Sequence, residues 1–470
     1  MSLQSAGRAL ARPSSLRIAR LASQCLIPSI PAQARATPCP RLVPASTTVS
    51  PSQRRWASSS KAETLSRTPL YEIHQAAGAK LVPFAGFAMP LEYPGQSHQE
   101  SHHWTRNSAS LFDVSHMVQH RLSGPLAETL LMTVTPSSID ALAPQTSSLS
   151  TLLNENGGIV DDTVITRTGP DSFYFVTNAA CRDGDLAFLR AAIDKLLDGR
   201  PAEGQIQWDI LEHHGLLALQ GPKAAEVLQP LVAATGNGDE DLSTLYFGQS
   251  RQLSLRLGSG PGELSPPLLI SRTGYTGEDG FEISIPATDA ESSREASSAV
   301  ARLLLGDGSV VRWAGLAARD SLRLEAGMCL YGHDINETTT PGMGGLGWVV
   351  GKARRAADAP GPQFNGQSAV LAHLEKPGSM PERRVGFLVD KGPVAREGAP
   401  ILDIESGETI GRITSGCPSP SLAGQNIAMG MIKTGSHKRG TQVAIKVRSK
   451  TVKAQVAKLP FIESRFHRPS

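Results

Sequence analysis

RRVGFLV (residues 383–389), ILDIESGETIGRITSG (401–416) and TQVAIKV (441–447) decide how this chain divides. Each is a short run rich in β-branched and apolar residues, cut by Gly turns, and no helical periodicity separates them. Short strands spaced this way predict a small separate β domain, a barrel, at the C-terminal end. Its linker is expected within residues 353–367, where DAPGP and FNGQ interrupt any periodic pattern.

Ahead of this segment, strand and helix signals mix without strict alternation, which predicts an α+β chain rather than a doubly wound parallel sheet. Leu186, Leu189, Ile193 and Leu197 recur at helical spacing over 183–197, and Gly199 closes that helix. Thr68 followed by Pro69 predicts a helix start with Gly78 as its stop, and Thr288 with Glu291 has the spacing of a capping box. Strand-like runs fall at 172–177, 205–210, 268–272 and 281–285, and Gly/Pro-rich surface insertions at 234–241 and 258–267. At 470 residues the chain exceeds one core and implies two to four domains.

The formal charge of +3 is unevenly spread. Residues 1–60 hold eight Arg and no Lys, Asp or Glu, so 38 basic residues face 43 acidic ones in the remainder. That balance excludes a nucleic-acid-binding body. The Arg- and Ser-rich, acid-free leader has the composition of a mitochondrial transit peptide ending near RRWASSS (54–60). No run approaches the roughly 18 apolar residues of a membrane span. The five cysteines form neither a CxxC nor a closely spaced even set, so neither a disulfide framework nor a thiolate metal cluster is expected.

Two strings invite over-reading. GMGGLG (342–347) satisfies GxGxxG, but TTTP precedes it and Trp348, Val349 and Val350 follow, the reverse of the strand-then-helix context of a dinucleotide site. His98, His102 and His103 suggest a metal helix, yet no third ligand is evident, and a polar helix face is the expectation.

Three places carry chemistry on physical grounds. Asp161 and Asp162 follow Gly157-Gly158 on a strand that is apolar on both faces, so one carboxylate is expected to be buried, and alternation sends the two apart. The pattern does not choose between them. Glu282 lies opposite the core face Phe281, Ile283 and Ile285, and the glycine-rich turn 274–280 before it allows close backbone approach to a ligand. A carboxylate there suits a flat edge presenting two N–H donors. Arg319 falls on the apolar face of its helix, with Leu316, Leu322 and Ala326, and requires an anionic or carbonyl partner, internal or bound.

Over about four hundred residues the chain resembles the aminomethyltransferase, or T-protein, family of the glycine cleavage system. The resemblance rests on RTPLYEIH (67–74), FAGF (84–87), FDVSHM (112–117), NENGGIVDD (154–162), ALQGP (218–222), RTGYTGEDGFEI (272–283), GLAARDSLRLEAG (315–327), LYGHDI (330–335), SGCPSPSL (415–422) and KLPF (458–461), in that order. It implies a three-domain cloverleaf: a leader at 1–60, two mixed α/β domains at 61–210 and 211–360 around a central folate channel, and a β barrel at 361–470. It implies transfer of the methylene of an aminomethyl group from the lipoylated H-protein to tetrahydrofolate, with release of ammonia and formation of 5,10-methylenetetrahydrofolate. It also implies other glycine cleavage components as partners, a mitochondrial matrix location and no metal. It selects Asp162 as the catalytic carboxylate, and it places Glu282, Arg319, Asn178, Tyr275 and Phe466 in the folate pocket, Phe466 standing where the family often has Tyr. Gly342 and Met343 depart from the family's Val-Glu. A related branch with the same fold, the non-catalytic folate-binding proteins of iron–sulfur assembly, carries a Lys-Gly-Cys motif, whose nearest string here, KGP (391–393), lacks the Cys.

Overall fold

The computed structural model describes residues 65–234, 240–258, 263–359 and 361–469. The leader and parts of both insertions lie outside the described residues. A two-stranded antiparallel ribbon, Lys80–Phe84 with Phe87–Glu92, two larger open sheets and a closed barrel organise the rest.

The first sheet is antiparallel, in the order Thr146–Leu153, Ile159–Gly169, Ser172–Thr177, Val118–Ser123, Gln207–Ile210. The helices Ala127–Val134 and Arg182–Leu197 cover it, and the layer between holds Leu122, Leu130, Ile165, Phe173 and Leu189. The second sheet runs Ser250–Leu253, Leu268–Ser271, Gly280–Ile285, Gly215–Gln220, Ala109–Asp113, Val311–Trp313. Its last pair is parallel, Val311 facing Ala109. Phe281, Ile283 and Ile285 are fully buried there, as alternation along that strand requires. Each buries a side chain worth about 1.5–3 kcal/mol. Glu382–Val389, Gln425–Lys433, Thr409–Ser419, Pro400–Asp403, Gln442–Val447 and Lys450–Ala457 close the C-terminal barrel around Phe387, Ile401, Ile413 and Ile445. Among the described residues no helix is long and apolar enough to cross a membrane.

Two helix starts differ from the sequence reading. The first helix is Tyr71–Ala76, and Thr68 donates its hydroxyl to Asp113 Oδ2 at 2.6 Å instead of capping it. In Ala290–Leu305 the cap is Asp289, which accepts from the backbone of Glu291 and Ser292, because a carboxylate outcompetes the neighbouring Thr288 hydroxyl at a helix N-terminus.

The histidines of His98–Asn107 are likewise more than a polar face. His102 is fully buried against the helix Leu316–Glu325, bonded to Ser321 Oγ at 2.8 Å and Glu325 Oε2 at 3.0 Å. Arg106 of the same helix reaches Glu325 and Glu278, each at 2.9 Å. On the barrel side Arg323 pairs with Asp334 at 2.7 Å and reaches Ser415. Leu316–Glu325, which carries Arg319, is therefore clamped from two directions.

Candidate active site

Ile159–Gly169 brings the aspartates into place. Leu152 of the neighbouring strand faces Asp161 while Leu153 faces Ile159, so Val160 is an extra residue, a bulge. Beyond the bulge the two carboxylates still alternate, Asp161 paired with Leu152 and Asp162 with Thr151, yet one side chain reaches both. Asn178 Nδ2 donates to Asp161 Oδ1 at 2.7 Å and to Asp162 Oδ1 at 2.9 Å, and its backbone N–H donates to Asp161 Oδ2 at 2.7 Å. Asn178 precedes the short turn Ala179–Cys181, whose amides its side chain leaves uncapped in order to hold both acids. Asp161 is fully buried and Asp162 half-buried.

Two carboxyls this close in a dry place resist ionising together. Burial first, and the charge of Asp161 second, push Asp162 up from 3.8 to about 7, against the opposing pull of Asn178 and Arg319. Burial likewise raises Asp161. Asp162 is consequently poised to exchange a proton near neutral pH.

The facing wall comes from the second sheet. Glu282, half-buried on the face opposite Phe281 and Ile283, accepts from Thr273 Oγ1 at 2.6 Å. The Tyr275 hydroxyl donates to the Cys329 carbonyl, which fixes its ring. The glycine-rich turn serves a different end from the expected one. A Cβ on Gly274 would fall 1.9 Å from Gln220 Oε1, so the space is filled by Gln220 rather than left for a ligand.

The Arg319 guanidinium lies over the Tyr275 ring at 4.7 Å and makes no side-chain hydrogen bond or ion pair among the described residues. Burial lowers its pKa, against the opposing charges of Glu282 and Asp162. A guanidinium held in a clamped helix between carboxylates it does not bond is ready for a bound acceptor. Phe466 stands apart from this group: it stacks on Phe247 at 4.0 Å, on the tail that crosses the turn by Arg465 N–H to the Gly277 carbonyl at 2.8 Å.

The sequence reading missed His116 and Asp185. Both are buried, Asp185 against Asp161 and His116 between Phe84 and Phe87, and isolated in sequence they carry no spacing signal. Burial, then Arg319, lowers His116 to about 4, so its imidazole is neutral. Among the described residues no group of three or more His, Cys, Asp or Glu is placed to hold a metal ion.

The model of the GCVT N-terminal domain matches residues 70–354, and that of the glycine cleavage T-protein C-terminal barrel domain matches 382–463. The chain belongs to the glycine cleavage T-protein family. It is 45% identical over 415 residues to the probable mitochondrial aminomethyltransferase of Schizosaccharomyces pombe, covering 88% of this chain and 97% of that one. Against the mitochondrial aminomethyltransferase of Saccharomyces cerevisiae it is 44% identical over 407 residues, 86% of this chain and 96% of the other. The crystal structure of the glycine cleavage system aminomethyltransferase T from Bartonella henselae superposes with a TM-score of 0.73 at 39% identity, over 86% of this chain and all of that one. The T-protein family is one of tetrahydrofolate-dependent transferases, and these matches favour it over the iron–sulfur branch.

Proposed function

We propose that this chain is the mitochondrial aminomethyltransferase of glycine cleavage. It takes the methylene of an aminomethyl group carried on the lipoyl arm of H-protein, passes it to tetrahydrofolate, and works with the other components of that system. The observation that carries this reading is the unpartnered Arg319 guanidinium facing Glu282 and Asp162. A pterin ring offers what these groups lack: a donor edge for Glu282, a carbonyl for Arg319 and a flat face near Tyr275.

Glu282, Arg319, Tyr275 and Asn178 would hold the folate, with Phe466 bordering it, and Asp162 would face the reacting nitrogen. Over the whole reaction the two folate N–H protons pass to the lipoyl sulfur and the departing amine, which leaves as ammonia and takes a further proton from water to become ammonium. Asp162, oriented by Asn178, would stabilise the positive charge that develops between them or relay a proton, an effect of about 10² to 10⁴ in rate. Holding the folate nitrogen against the carbon supplies several kcal/mol more.

The test is ammonia release from aminomethylated H-protein with and without tetrahydrofolate. Folate-stimulated release supports the proposal, and folate binding without turnover refutes it.

A further inference from the structure

Asp185 lies in the first turn of the helix Arg182–Leu197, 1% exposed, and the chemistry proposed above leaves it without a task. Its neighbours form a chain that begins at Trp208. An indole N–H can only donate, and this one donates to His120 Nδ1 at 3.3 Å. His120 is fully buried and stacked on Phe175 at 4.4 Å. Burial, then Arg182, lowers it to about 3, so the ring is neutral and carries one proton. With Nδ1 accepting, that proton sits on Nε2, which donates to Thr177 Oγ1 at 3.2 Å. The Thr177 oxygen takes that bond, and its own hydrogen goes to Asp185.

The other neighbour of Asp185 is the carboxyl of Asp161. Two carboxyls bond each other only through a proton that one of them holds. Asp161 accepts from the Asn178 backbone N–H and from its Nδ2, each at 2.7 Å, whereas no N–H reaches Asp185 among the described residues. Bonds from N–H groups favour the charged form, so Asp161 is the carboxylate and Asp185 the acid. Burial first, and the charge of Asp161 second, raise Asp185 to about 9, in keeping with that assignment. Cys181 and Tyr331, the other ionisable groups against the pair, are raised by burial and neutral, and the Cys181 thiol adds a weak donor to Asp161. Asp162 is faced by Arg319, which Glu282 shares, and by the neutral Tyr275 and Cys329.

We propose that Asp185 is a positioning residue of the transfer: it keeps a proton bonded to Asp161, so that the negative charge beside Asp162 stays on Asp161. The inference rests on the function proposed above. Asn178 joins Asp161 to Asp162, and the charge held on the first therefore acts on the second across a single amide. The indole of Trp208 gives the chain its direction, since every bond from it to Asp161 runs donor to acceptor the same way. Without the acid of Asp185, Asp161 takes up a proton itself, and Asp162 loses the neighbour that makes it exchange a proton near neutral pH.

The test is the pH profile of folate-dependent ammonia release. Asp185→Leu removes the acid, and the midpoint of kcat should move towards acid by about one pH unit, as expected when Asp161 loses its charge. Asp185→Asn offers a carbonyl to Thr177 and an N–H to Asp161 and removes no charge, so its midpoint should stand at the wild-type position. An acid-shifted midpoint in Asp185→Asn shows an ionised Asp185, and an unshifted one in Asp185→Leu shows a structural role; either overturns the inference. A second readout needs no turnover. The infrared spectrum of wild type at neutral pH should hold a protonated-carboxyl band that Asp185→Asn lacks, and equal spectra in that region overturn the inference. This comparison decides if Asp185→Leu does not fold. A wild type without folate-dependent release refutes the proposed function instead, and the infrared comparison still judges Asp185.

Discussion

Replacing Asp162 by Asn should cost activity and gain stability at the same time. The side chain keeps its shape, and its Oδ1 still accepts from Asn178 Nδ2, now 2.9 Å away. What disappears is a negative charge that the fold disfavours: the shift from 3.8 to about 7 corresponds to a ceiling of about 4 kcal/mol at about 1.36 kcal/mol per unit. Because Asp162 is only half-buried and Asp161 remains beside it, a gain of about 1–2 kcal/mol is expected. The pH window follows from the sign of the shift. An acid raised on folding carries no penalty below its unfolded value of 3.8, a growing one up to about 7 and the full penalty above. The variant should therefore resist urea better than wild type at pH 8 and match it near pH 4. Its kcat should fall by about 10² to 10⁴ with little change in folate affinity. Asp161→Asn should do something different, moving the pH profile of the rate towards acid by relieving Asp162 of its neighbour's charge. Lower stability of Asp162→Asn at pH 8 would show a satisfied structural carboxylate, and a retained kcat would remove it from the chemistry.

Glu282→Gln and Arg319→Ala should each weaken tetrahydrofolate binding by about 1.5–3 kcal/mol in calorimetric titration, and Arg319→Ala should leave the melting temperature unlowered because the guanidinium bonds nothing. Wild-type affinity in both would dissolve the pocket. Burial pushes the carboxyls of Asp113 and Glu325 up, but the bonds of His74 to the first and of His102, Ser419 and Ser421 to the second outweigh it, leaving Asp113 at about 2 and Glu325 lower than usual. Their stabilisation is thus present above about pH 4 and lost as pH falls through about 2. Acid unfolding should follow that window, and Glu325→Gln should cost about 1–3 kcal/mol at neutral pH in denaturant titration, since Arg106 loses one of its two buried counter-charges and keeps Glu278. A chain starting at Ser58 should melt like the full-length protein and keep its activity, since residues 1–57 show no core-like periodicity.

Periodicity made the strand faces legible: Phe281, Ile283 and Ile285 are inside and Glu282 looks away, as alternation requires. The short strands from residue 382 onward do close into a barrel. Asp161 and Asp162 alternate in burial as expected, but the amide of Asn178 that joins them, sixteen and seventeen positions away, left no local signal. His102 failed for a similar reason. Its partners Ser321, Glu325 and Ser421 are over two hundred positions away, and a histidine looks alike in sequence whether it faces water or a carboxylate. The second sheet also crosses the boundary near residue 210 that the resemblance implies, for Ala109–Asp113 sits between strands from 215–220 and 311–313.

That interleaving puts a clock on folding. Ala109–Asp113 cannot be enclosed on both edges until Val311–Trp313 exists, about two hundred residues later. At about 5–20 residues per second of synthesis this is roughly 10–40 s. Until then the strand lacks its parallel neighbour, and the core around Leu111 and Leu219 lacks Trp313. For a precursor that must thread a translocation pore as an open chain, such a delay guards against premature closure. Nascent chains arrested before residue 311 should accordingly be cut by protease within the second sheet, and chains extended beyond residue 325 should be protected there. Equal protection in the two would show that the sheet closes without its last strand.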